Sequence, residues 1–113
     1  MPTLNKVLLI GNLTRDPELR YTPKGTAVLN GGIAMNQKWK DEHGEKKESV
    51  TFVDFTCWSK PAETFAQYTR KGSMVCLEGR LQLETWEKDD EKRSKLILIV
   101  EQFQFLDRKP EEK

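Results

Sequence analysis

The chain has 113 residues, 33% of them charged, a net charge of +1 and two cysteines. That length suits a single domain able to bury a core without disulfides or metal staples. No apolar run approaches the roughly 20 residues of a membrane span, and Met1–Lys6 lacks the apolar stretch and cleavage site of a signal peptide, so no membrane association is expected. Near-neutrality excludes a globally basic polyanion binder, so any anion-binding surface must be a local track. Residues 1–40 carry six cations against two carboxylates, and residues 41–59 two cations against five.

In chain order, Leu4 to Leu13 reads as a first strand, aliphatic and ending in Gly11-Asn12. Arg15 to Gly25 is turn material, broken by Asp16-Pro17 and Pro23-Lys24-Gly25. Thr26 to Trp39 reads as a second strand, with a bulge or sharp bend expected at Asn30-Gly31-Gly32. Lys40 to Glu48 is a charged hairpin loop with Gly44 near its tip, and Ser49 to Trp58 is the third strand. The period then changes. Ser59-Lys60-Pro61 opens a helix capped by Ser or Lys, and Ala62, Phe65, Ala66 and Thr69 keep helical spacing. Arg70 and Lys71 suit its C-terminal end, and Gly72 stops it. Ser73 to Trp86 is the fourth strand, Glu87 to Lys95 a second charged loop and Leu96 to Leu106 the fifth strand. One domain over residues 1–106 is expected, followed by a short, frayed polar end over 107–113.

Three strands, a helix between strands 3 and 4, then two strands predict an all-β chain. The order matches the five-stranded oligonucleotide/oligosaccharide-binding (OB) barrel, in which two long charged hairpin loops would flank a groove. A small β-sandwich is the alternative, but a lone mid-chain helix argues against it. The cysteines, Cys57 and Cys76, lie inside predicted strands without metal spacing, which points to free thiols in a reducing, cytoplasmic compartment, with a disulfide between them as the lesser alternative.

Alternation along the strands singles out the aromatics. In the fourth strand Val75, Leu77, Gly79, Leu81 and Leu83 share one face, whereas Glu78, Arg80, Gln82, Glu84 and Trp86 share the other. In the third, Val53, Phe55 and Cys57 oppose Phe52, Asp54, Thr56 and Trp58. Two strands thus carry large rings on their polar faces. Flat rings beside charges are what an unpaired nucleic acid needs, because every base has a π-face to stack.

Enzyme readings find little to build on. The one histidine, His43, sits at a hairpin tip, and no phosphate-cradling glycine loop ends in Lys-Ser/Thr. Asp89-Asp90-Glu91 is flanked by Lys88, Lys92 and Arg93, which favours solvation over metal binding. No catalytic residue, metal or cofactor is expected.

Four ordered blocks carry a family resemblance. Asn5-Lys6-Val7-Leu8-Leu9-Ile10-Gly11-Asn12-Leu13 is followed by Asp16-Pro17-Glu18-Leu19-Arg20-Tyr21-Thr22-Pro23-Lys24-Gly25-Thr26-Ala27-Val28, then Tyr68-Thr69-Arg70-Lys71-Gly72-Ser73 and Glu78-Gly79-Arg80-Leu81. From Asn5 to about Leu106 the chain resembles bacterial-type single-stranded DNA-binding proteins. The resemblance implies an OB fold, a homo-oligomer (commonly a tetramer), and binding of single-stranded DNA with little sequence preference during replication, recombination and repair, in a nucleoid-associated setting. Its stacking positions fall on Trp39, Phe52, Trp58 and Trp86. Of these, Trp39 rests on the resemblance alone. Candidate phosphate partners are Lys6, Arg15, Arg20, Lys38, Lys60, Lys71 and Arg80, with Lys60 and Arg80 nearest the aromatics.

The chain also departs from the family pattern. Phe52 stands where the family often has Trp, Glu84 is expected to repel phosphate, and the second loop lacks the usual glycine. Leu96-Ile97-Leu98-Ile99-Val100 is apolar on both faces, which suggests burial at a subunit contact. The sequence ends at Glu111-Glu112-Lys113 instead of an acidic, Phe-terminated tip. Recruitment of repair and replication proteins by such a tail is therefore not expected, unless a tail was removed. Two rivals remain at this stage: a dimeric OB protein of the primosome, and an assembly module that turns its aromatic sheet to a protein surface.

Overall fold

The computed structural model describes residues 1–107. Its elements are β1 (Val7–Leu13), β2 (Glu18–Tyr21), β3 (Ala27–Lys40), β4 (Lys46–Trp58), α1 (Ser59–Tyr68), β5 (Met74–Lys88) and β6 (Glu91–Phe105). The strands hydrogen-bond in the order β1-β5-β6-β4-β3-β2, and a further pairing of β1 with β3 closes a five-stranded barrel with β2 alongside β3. All neighbours are antiparallel except β4 and β6, which run parallel through Phe55↔Leu98 and Thr56↔Ile99.

The helix therefore lies between the fourth and fifth strands, not the third and fourth as expected, because residues 18–21 form a strand. That segment has only Leu19 to turn inward, opposite Leu29. One apolar side chain leaves no alternation to detect.

Both charged loops are also much shorter than expected. β3 and β4 stay paired out to Lys40↔Lys46, and β5 and β6 out to Lys88↔Glu91. The first turn places Gly44 at φ +78°, and the Asp41 Oδ1 accepts hydrogen bonds from the His43 and Glu45 N–H groups, both at 2.9 Å. The second turn is Asp89-Asp90, with φ of 54° and 65°. Aspartate tolerates this left-handed conformation in two-residue hairpin turns, which is why no glycine is needed there. Beyond the barrel both faces of each ribbon meet water, so charge replaces alternation and hides the strands.

The core is built from Leu13, Leu29, Ile33, Phe55, Val75, Leu77 and Leu98, closed at one end by Ala62 and Phe65 of α1. The Phe65 ring meets Phe55 and Phe103 edge-on, with centroids 5.6 and 5.0 Å apart. Trp58 occupies the cap position of α1 and no side chain caps the helix, contrary to the expected Ser or Lys cap. Ser59, at φ 68°, makes the sharp strand-to-helix turn instead.

No bulge interrupts β3 against β4, whose ladder runs unbroken from Val28↔Trp58 to Lys40↔Lys46. Gly31 serves close approach: a Cβ there would lie 2.5 Å from the Phe55 ring. The bulge lies in β6, where Glu101 is the extra residue between Gly79↔Val100 and Glu78↔Gln102. At that point a Cβ on Gly79 would sit 1.8 Å from the Ile99 carbonyl oxygen.

The inward run expected for β5 also ends there. Val75 and Leu77 are fully buried, but Leu81 and Leu83 are exposed on the ribbon. Cys57 and Cys76 are both free, and burial pushes the Cys57 thiol above its ordinary pKa. Of the expected polar end, Asp107 is tied in, its Oδ1 accepting from the Met74 N–H at 3.0 Å. Residues 108–113 lie outside the described residues.

Candidate nucleic-acid interface

Inside the barrel β4 buries Phe55 and Cys57, so alternation turns Phe52, Asp54, Thr56 and Trp58 outward. Phe52 is 69% exposed, and Trp39, Trp58 and Trp86 are 45–46% exposed. No ring among the four has been drawn into the core. Register builds the rest of this face. On one side Trp58 stands opposite Val28, which stands opposite Arg20, so the indole and the guanidinium project from the same surface two strands apart. Farther along β3, Asn30 opposes Thr56 and Ala34 opposes Phe52, and the Thr56 hydroxyl donates to Asn30 Oδ1 at 2.9 Å. On the other side β6 contributes Lys95, Ile97 and Ile99, and β5 contributes Arg80, Gln82, Glu84 and Trp86.

Ile97 and Ile99 are buried within the single chain, on the strand flanked by β4 and β5. The double-sided apolar run thus gains cover without a second subunit at those positions, although Leu96 stays exposed.

Trp39 differs from the other three rings. It stands opposite Lys47, on the parity of Ile33 and Val53 rather than that of Phe52. It therefore leaves the β3–β4 ribbon on the reverse side with Lys47 opposite it, and the shallow hollow around it is also bordered by Lys38, Lys40, Lys46 and the Glu48 carboxylate. Trp86 stands opposite Arg93 in a similar hollow beside Lys92. Each ribbon tryptophan thus has cations from the facing strand.

The expected phosphate partners fall into three groups. Arg15, Arg20, Lys38 and Arg80 lie on the aromatic face. Of these, the Arg15 guanidinium is 3.7 Å from Asp54, Lys38 faces Glu48, and Arg80 pairs with Glu101 at 3.0 Å. Lys60 is exposed in the first turn of α1, two residues beyond Trp58, whereas Lys71 follows the helix and its N–H donates to Asp16 Oδ1 at 2.7 Å. Lys6 is set apart. It pairs with Glu78 on the wall formed by β1 and the first half of β5, and that carboxylate holds its ammonium above the ordinary pKa.

Lys46, Lys47, Lys92, Arg93 and Lys95 lie in stretches that read as loop from the sequence, whereas the ladders set them on the ribbons beside the rings. Recognising Asp89-Asp90 as a two-residue turn would have fixed Trp86 opposite Arg93, and Lys95 opposite Glu84. In that register Lys95 stands opposite Glu84, although its ammonium pairs with Asp54. Among the described residues no cluster of three His, Cys, Asp or Glu side chains offers a metal site. The face has open rings, flanking cations and two solvated ribbons.

The model of the single-strand binding protein family matches residues 4–106. The chain belongs to that family. The single-stranded DNA-binding proteins of Helicobacter hepaticus and Wolinella succinogenes are each 47% identical to it, over 94% and 93% of this chain. The chain spans 63% and 65% of those two relatives' lengths. Among solved structures, a Plasmodium falciparum SSB in complex with ssDNA superposes with a TM-score of 0.86 at 25% identity, covering 95% of this chain and 98% of that one. A deletion mutant of the single-stranded DNA-binding protein from Thermus aquaticus superposes at 0.81 with 36% identity, covering 92% of this chain and 51% of that one.

Proposed function

We propose that the protein binds single-stranded DNA with little sequence preference and shields it during replication, recombination and repair, acting as a binding protein without catalytic chemistry. The observation that carries this reading is the exposure of Phe52, Trp58 and Trp86 on one outer face of β4, β5 and β6, with cations beside them. The likeness to an SSB structure solved with ssDNA supports it. Each base stacked on a ring contributes about 1–3 kcal/mol, so three or four stacks would dominate binding by a protein of net charge +1. Trp39 would extend the track around the ribbon. Arg15, Arg20, Lys38, Lys60 and Arg80 would take phosphates, each adding about −0.7 to the slope of log affinity against log salt.

Self-association belongs to the same proposal. Leu8 and Ile10 are 64% and 58% exposed on adjacent outward positions of β1, a surface that a second copy would cover. A tetramer is the assembly proposed, with a dimer as the alternative, and molecular mass in solution separates them. The proposed setting is the cytoplasm, on the nucleoid.

A titration of intrinsic tryptophan fluorescence with oligothymidine, repeated at several salt concentrations, tests the reading. Strong quenching with a negative salt slope is expected. Absence of quenching and of complex formation at low salt overturns it.

A further inference from the structure

Asp54 sits in the middle of the aromatic face, two residues from Phe52 on the same side of β4. It is the only carboxylate that β4 turns outward between Phe52 and Trp58. Two cations converge on it from different elements: Lys95 of β6 pairs with its Oδ2, and Arg15, just beyond β1, lies 3.7 Å from its Oδ1. Arg15 reaches it because β3 carries glycine beneath the path. A Cβ at Gly32 would lie 2.7 Å from the Arg15 Nη1 and 2.6 Å from the Thr14 hydroxyl. The three side chains are 34–52% exposed, so the ion pairs are solvated and exchangeable rather than buried and fixed. Glu84 stands opposite Lys95 in the β5–β6 ladder, but the Lys95 ammonium is turned to Asp54.

We propose that Asp54 is a resident competitor for DNA phosphate. It holds Arg15 and Lys95 on the platform in the free protein and gives them up when a strand binds. The inference rests on the single-stranded DNA reading above. A cation already paired with a protein carboxylate contributes less on binding phosphate, because the carboxylate it leaves must be resolvated or take up a counterion. Asp54 thereby weakens the grip and flattens its salt dependence.

The test compares wild type, Asp54→Asn and Asp54→Ser for binding to fluorescein-labelled oligothymidine by anisotropy at several salt concentrations. Both neutral variants should bind more tightly at low salt, roughly fivefold for one unit charge at contact distance in water. Their salt slope should steepen by about 0.7 for each cation released to phosphate. Adding Lys95→Gln and Arg15→Gln to Asp54→Asn should abolish the gain. Unchanged affinity and slope in folded variants overturns the inference. So does weaker binding, which would make Asp54 an aligning group instead. If wild type itself does not bind oligothymidine, the proposed function fails, whereas wild-type binding with unaltered variants sinks this inference alone.

Discussion

Replacing Phe52 by tryptophan should tighten binding, a direction that generic damage does not produce. Phe52 is the most exposed of the four rings, at 69%. It faces Ala34 across β3, so a larger ring meets no bulky cross-strand neighbour. A stack contributes about 1–3 kcal/mol per base, and an indole offers about half again the ring area of a phenyl group, so the gain is about 0.5–1.5 kcal/mol, or roughly 2- to 10-fold in affinity. The opposite change, Phe52→Ala, forfeits the whole stack and should weaken binding by roughly 5- to 150-fold. Its cost to the fold is smaller. A fully buried phenyl removes on the order of 200 Å² from water, and a ring 69% exposed hides about a third of that, which at about 25 cal/mol per Å² comes to under about 2 kcal/mol. Anisotropy of labelled oligothymidine at fixed salt gives the affinities, and thermal melting gives the stabilities. If the tryptophan variant binds no better and the alanine variant no worse, Phe52 is not a stacking platform.

Three further outcomes are expected. Lys6→Gln should leave the salt slope of oligothymidine binding unchanged, because β1 lies three strands from Phe52 and Trp58 in the sheet order through β5 and β6; a slope shallower by about 0.7 would place it on the DNA track instead. Gly79→Ala should destabilise the fold by about 3 kcal/mol, lowering the melting temperature by on the order of 10–20 °C, because its Cβ would strike the Ile99 carbonyl in the bulged ladder; a wild-type melting curve would refute this. In the native protein a thiol reagent should modify the half-buried Cys76 and spare Cys57 until unfolding. Burial raises the folded-state pKa of Cys57. Its contribution to stability is therefore complete below the ordinary thiol value of about 8.5 and declines as pH rises through the folded value. Melting curves from pH 8 upward should fall less steeply for Cys57→Val than for wild type.

Much of the barrel was legible in the sequence because barrel strands have one wet and one dry face. Alternation in residues 52–58 and 75–79 separates Phe55, Cys57, Val75 and Leu77 from Phe52, Trp58 and Glu78, and the burial in the structure follows that split. The helix was legible from Ala62 and Phe65, its two buried residues. Two kinds of segment were not legible. β2 is four residues long with one inward side chain, too short to show a period. The ribbon ends are wet on both faces, so lysines and glutamates at successive positions read as loop although they are strand.

What the sequence determined by itself is local: which strands exist where one face is dry, where the helix sits after Trp58, and which large rings share a side with charges. Only the tertiary structure decided what faces what. The hairpin registers put Lys47 opposite Trp39 and Arg93 opposite Trp86. The crossover that lays β6 beside β4 brings Lys95 to Asp54, residues 41 apart along the chain. The physical reason is that alternation fixes the side of a strand on which a residue lies. Pairing partners depend on turn length, on a one-residue bulge at Glu101 and on barrel closure, and none of these leaves a periodic trace in the chain.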